Sequence, residues 1–132
     1  MTYEEFQKQY EQESEKFYAE LSKLNEDDLL KIIADKDDSK FSIWTGKDNY
    51  QIWRVLQTKG TSSSIRPLFS IVSNLSNEYL IRYHACEALF NIAGLNDSEF
   101  KGKVQYGLDA NREAIDQQDA IRQLKELLGH GF

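Results

Sequence analysis

Apolar residues recur along this chain at intervals of three and four, and β-branched residues nowhere alternate with polar ones over a strand length. The pattern therefore predicts helix throughout. Thr2 and Glu5 have the spacing of a capping box ahead of a stripe of Phe6, Tyr10, Phe17, Leu21 and Leu24, interrupted at Glu13, which predicts a first helix over 3–24. Asn25 is placed to cap a second helix that ends near Asp35. Its first turn carries Glu26, Asp27 and Asp28, where carboxylates meet the positive end of the dipole, followed by Leu29, Leu30, Ile32 and Ile33. A polar loop runs to Gly46. Asp48, with Gln51 three residues on, then caps a helix carrying Ile52, Trp53, Val55 and Leu56 that stops at Gly60. The hydroxyls of Thr61 to Ser64 precede a helix from Ile65 to about Leu75, with Pro67 in its first turn, where a missing N–H is harmless. Asn77 and Glu78 open a helix over 79–93 that turns Ala85, Ala88, Leu89 and Ile92 to one face and ends at Gly94; further helices follow over 97–110 and 117–128, the last stopped by Gly129.

The stop glycines Gly60, Gly94 and Gly129 are spaced by 34 and then 35 residues, each shortly after a leucine. A fixed period of this size signals a helical solenoid, in which each pair of helices is too thin to bury its own apolar face and stacking supplies the core. Residues 65–94 carry a specific pattern: Pro67-Leu68 at the start of the first helix, a polar turn over Asn74 to Asn77, then Ile81-Arg82, Ala85 and Ala88-Leu89. This stretch resembles a HEAT repeat, of the armadillo type. The resemblance is weaker on either side: Gln51 stands where the central repeat has Ala85, and the last repeat keeps Ala120 and Leu124 but lacks an arginine equivalent to Arg82. It implies an all-α fold, a right-handed α-α superhelix of about three stacked helical hairpins with the first helix as an N-terminal cap. It also implies that Arg82 is partly buried and bridges to the turn or to the adjoining repeat.

The 132 residues suit one domain, 1–132, with 40% hydrophobic and 29% charged residues. Cys86 is the single cysteine, which excludes an internal disulfide and a cysteine-based zinc site. The acidic start and the lack of an apolar run of about 20 residues lead to the expectation of a cytoplasmic protein with no membrane span. The net charge of −6 is concentrated at the front, where residues 1–38 hold 12 acidic against 5 basic side chains. Such a balance disfavours direct nucleic-acid binding and attracts basic proteins instead.

No cofactor, metal or catalytic site emerges from the residues. The acidic loop Asp35 to Ser39 has Lys40 and Gly46 where a calcium-binding EF-hand needs glycine and glutamate. His84 and Cys86 point about 200° apart on a helix and cannot share a proton. Cys86 reads as a small buried hydrophobe and His130 as part of a terminal tail, while Trp53 and the loop residue Trp44 read as packing. The proteins it resembles bind ligands along the exposed faces of their second helices. Those faces place Tyr83, Glu87 and Asn91 together, with Tyr50, Arg54 and Gln57 as counterparts in the preceding repeat, although ordinary solvated residues would show the same spacing. The candidate protein-binding residues are therefore Tyr50, Arg54, Tyr83, Glu87 and Asn91. The functional expectation is a non-catalytic protein-binding module, monomeric or weakly oligomeric. Its favoured form is a stoichiometric inhibitor of a basic partner, such as a bacterial immunity protein or antitoxin. The alternatives are an adaptor or regulatory subunit of a larger complex, and a small HEAT-like enzyme of the lyase or glycosylase type.

Overall fold

The computed structural model describes residues 1–34, 51–95 and 114–129, with side chains from 117 onward in the last stretch. Helices supply all the regular structure there, and no strand occurs among the described residues. The chain divides into two compact units, Met1–Lys59 and Gly60–Phe132, within the stretch that the sequence reads as one domain.

In the first unit, α1 (Tyr3–Leu21) opens with the expected capping box. Thr2 Oγ1 accepts the Glu5 N–H at 3.1 Å, and a Glu5 carboxylate oxygen accepts the Thr2 N–H at 3.3 Å. The helix stops at Leu21 rather than at the expected Leu24. The Ser22 hydroxyl donates to the Tyr18 carbonyl at 2.7 Å, and the next N–H groups, of Lys23 and Leu24, fall back to carbonyls three residues earlier. The freed carbonyls of Ser22 and Leu24 accept from the Lys59 ammonium, at 2.6 Å for Leu24. A cation arriving from a distant helix thus closes this end, where the dipole favours positive charge.

Asn25 Oδ1 accepts the Asp28 N–H at 2.9 Å and starts α2 (Glu26–Ala34) as expected. The third helix, α3 (Gln51–Lys59), stops immediately before Gly60; its expected cap, Asp48, lies outside the described residues. Both α1 and α2 pack on α3. Leu21, Leu29, Ile33, Ile52, Trp53, Val55 and Leu56 form the core between them, and full burial of a side chain of this size contributes about 1.5 to 3 kcal/mol. Trp53 is core, as expected, although its indole N–H is buried without a hydrogen-bond partner. The α1 stripe is only partly used. Leu21 is fully buried, but Tyr10 is 44% and Phe6 59% exposed.

The second unit begins with a 3-10 turn over Ser62–Ser64, capped by the Thr61 hydroxyl, which accepts the Ser63 N–H at 3.3 Å. It leads directly into α4 (Ile65–Ser73). This helix stops two residues short of the expected Leu75, because Asn74 takes an extended backbone (φ −85°, ψ 99°) and its side chain accepts the Ser76 N–H at 3.0 Å. Asn77 donates back to the Ile71 carbonyl at 3.0 Å, so the turn is fastened by its own side chains. Next, α5 (Tyr79–Ala93) packs along α4 and ends at Gly94 in the left-handed region, φ +72°. Leu95 N–H donates to Phe90 O at 2.8 Å and Gly94 N–H to Asn91 O at 3.4 Å, the paired bonds of a Schellman motif.

The last helix, α6, is described over Ala114–Leu128, which includes the expected 117–128, and touches α4. It ends before Gly129, φ +80°. Its buried Ala120 and Leu124 join Leu68, Val72, Ala85, Ala88, Leu89 and Phe90 in this unit's core. The helix expected over 97–110 lies outside the described residues. Among those that are described, no helix is long and apolar enough to cross a membrane.

Candidate functional site

Burial on α5 spans more than the single face the spacing suggested. Ile81, Arg82, Ala85, Cys86, Ala88, Leu89 and Phe90 are all buried, while Ile92 is only half-buried. At 100° per residue these buried positions cover about 200° of the helix, so a narrow remaining arc faces water. That arc holds Leu80, Tyr83, His84, Glu87 and Asn91. Leu80 is 43% and Tyr83 38% exposed, and the other three are half-buried. Three candidate binding residues, Tyr83, Glu87 and Asn91, therefore share one solvent-facing strip. Sequence reasoning missed Leu80 and His84 on the same strip, although their spacing of three or four residues from Tyr83 and Glu87 was the available signal.

The strip is backed by ring contacts. Tyr83 meets the edge of His84 in a T-shaped arrangement at 5.5 Å, and lies 6.1 Å from the tilted ring of Tyr79. Burial holds the His84 imidazole below its ordinary pKa, while the Glu87 carboxylate pulls it upward. Behind the strip, Arg82 is 4% exposed. Its Nε donates to the Asn77 carbonyl at 3.1 Å and an Nη donates to Gln117 Oε1 on α6 at 3.3 Å. The expected bridge is present in both senses, to the turn and to the following helix, and the guanidinium also lies 6.0 Å from the Tyr79 ring centre. Arg82 thus fixes the start of α5 and the tyrosine beside Tyr83.

The remaining two candidates belong to the other unit. Arg54 is exposed on α3, but it is held in place: its guanidinium donates to Gln51 Oε1 at 2.7 Å and stacks over the Tyr18 ring at 4.8 Å. A tethered arginine loses less rotamer freedom when a partner binds than a free one does. Tyr50 lies outside the described residues, as do Trp44, the acidic loop Asp35 to Ser39 and His130.

Reactive side chains do not converge here. Cys86 is 1% exposed in the core of the second unit, whereas His84 stands on the strip facing water. An open groove at the end of α6 is lined by Arg122, Lys125, Glu126 and Gly129. Its arginine is shared between Asp119 at 2.6 Å and Glu126 at 2.7 Å, exposed ion pairs of the kind that organise a surface rather than a reaction. No group of three or more histidine, cysteine or carboxylate side chains placed to hold a metal ion occurs among the described residues. What the arrangement offers is an aromatic and polar strip on a rigid helix. No family model, no curated protein and no solved structure matches this chain at a significant level.

Proposed function

We propose that the chain is a HEAT-like protein-binding module: a right-handed superhelix of stacked hairpins, capped by α1, that blocks a basic partner stoichiometrically, as a bacterial immunity protein or antitoxin does, without catalysis. The observation that carries this reading is the α5 strip. Tyr83 and Leu80 stand exposed beside the half-buried Glu87 and Asn91 on a helix whose other side is locked into a core, and rigid aromatic anchors of this kind dominate binding energetics. The repeat character is supported by contacts in register. Arg82 and Gln117, which touch at 3.3 Å, stand 35 residues apart, the same interval that separates Ala85 from Ala120, Leu89 from Leu124 and Gly94 from Gly129. The basic partner follows from a net charge of −6.

Native mass spectrometry of the chain purified from its source tests the reading. A complex of one copy with one protein of high isoelectric point is the expected result. A larger multi-subunit assembly would make the chain an adaptor. A chain that turns over a small molecule, with no protein attached, would be an enzyme.

A further inference from the structure

The first helix presents an apolar surface that the described residues of its own unit leave exposed. Tyr3, Phe6, Tyr10, Phe17 and Leu21 fall within about 60° of one another around the helix axis, one straight stripe. Exposure along it rises steadily toward the amino end: Leu21 is fully buried, Phe17 half-buried, Tyr10 44%, Phe6 59% and Tyr3 77% exposed. The same seam that packs into the core at one end stands in water at the other, and every residue from 1 to 13 is exposed. Most helical stability in proteins comes from packing of an apolar face, and these first turns have none of it from the described residues. A partner lying along the seam would supply the missing packing.

Charge selects the occupant. Glu13 lies immediately beside the stripe and Glu20 borders it, Lys8 falls on the far side of the helix, and Glu11 and Lys16 stand equally far from the stripe on opposite flanks; α1 as a whole carries six glutamates against two lysines. The apolar seam is therefore edged by carboxylates and glutamines. A second copy of α1 would set these acidic edges against each other, and an acidic surface would be repelled. We propose that the exposed amino-terminal half of α1 is the docking strip for a basic amphipathic helix of a partner protein. Its apolar face would cover Tyr3, Phe6 and Tyr10 while its lysines or arginines meet the glutamates. The inference rests on the protein-binding reading and adds a second surface to it, in the manner of helix pairing along a heptad seam.

The test uses the full chain and a synthetic 18-residue lysine/leucine peptide with leucines on one helical face, beside a glutamate/leucine counterpart. Hydrogen exchange read by mass spectrometry locates the contact, and fluorescence anisotropy measures affinity. The lysine peptide should slow exchange at residues 3–13, and Phe6→Ser with Tyr10→Ser should weaken its binding by about tenfold or more. Both positions are exposed, so the double variant keeps the fold of the wild type, and its thermal midpoint checks this. Protection on 51–59 or 79–93 instead, equal binding of the glutamate peptide, or protection of 3–13 by raising chain concentration without peptide would each overturn the docking strip. The broader reading is judged separately by native mass spectrometry. A one-to-one complex there, unaffected by the double variant, would retain the binding module and remove α1 as its surface.

Discussion

Arg82 is the one strongly basic side chain in the core of the described residues, and it donates to the Asn77 carbonyl and to Gln117 Oε1. Arg82→Ala leaves the Asn77 carbonyl and the Gln117 amide oxygen without this donor and removes a packed stem. A loss of about 1 to 3 kcal/mol is expected by urea denaturation; an unchanged midpoint would mean that the bridge carries no stability. His84 gives a pH-dependent counterpart. Its pKa in the fold is depressed by burial, so the unfolded chain binds the proton more readily. The stability that neutral His84 contributes is therefore complete above the ordinary histidine pKa of about 6.5 and is lost as pH falls through the lower, folded value. Thermal midpoints between pH 7 and 5 should fall more steeply for the wild type than for His84→Gln, and parallel curves would contradict the assignment. The role of Arg82 was legible because aliphatic-Arg ahead of small residues is a specific pattern. Leu80 was not, because an exposed leucine looks like a core residue until its neighbours are seen.

At the scale of elements, helix starts were read well because their signals are local. Thr2 with Glu5, Asn25 and the Thr61 hydroxyl all act within three residues of themselves. Helix ends were read less well. The end of α1 depends on Lys59, 35 and 37 residues away, and no periodicity in the first helix reports it. The three stop glycines all fall one residue beyond a helix, yet only Gly94 and Gly129 have positive φ among the described glycines. This separates otherwise similar substitutions. A Cβ at Gly94 would meet nothing within 4 Å, so Gly94→Ala should cost only the left-handed backbone strain, about 1 to 2 kcal/mol, while Gly60→Ala should stay within about 0.5 kcal/mol. Equal melting shifts for the two would show that the capping geometry does not distinguish them. The open seam of α1 was also illegible, since spacing shows which residues share a face but not what covers it.

For the whole molecule, composition and periodicity were enough for an all-helical fold class and for the three helix stops marked by Gly60, Gly94 and Gly129. The surfaces took structure to define, because they are what remains after burial. In the proposed function the partner-facing surface lies on exposed strips of helices, with acidic charge drawing a basic protein in and a few anchored side chains holding it. Association and dissociation rates with the co-purified partner, measured across salt concentration, test this most directly. The association rate should fall by about an order of magnitude between roughly 0.05 and 0.5 M salt, as screening removes steering. Tyr83→Ala and Arg54→Ala should each raise the dissociation rate by about fivefold, near 1 kcal/mol, with little change in association. Binding that is insensitive to salt and indifferent to both substitutions would contradict the account.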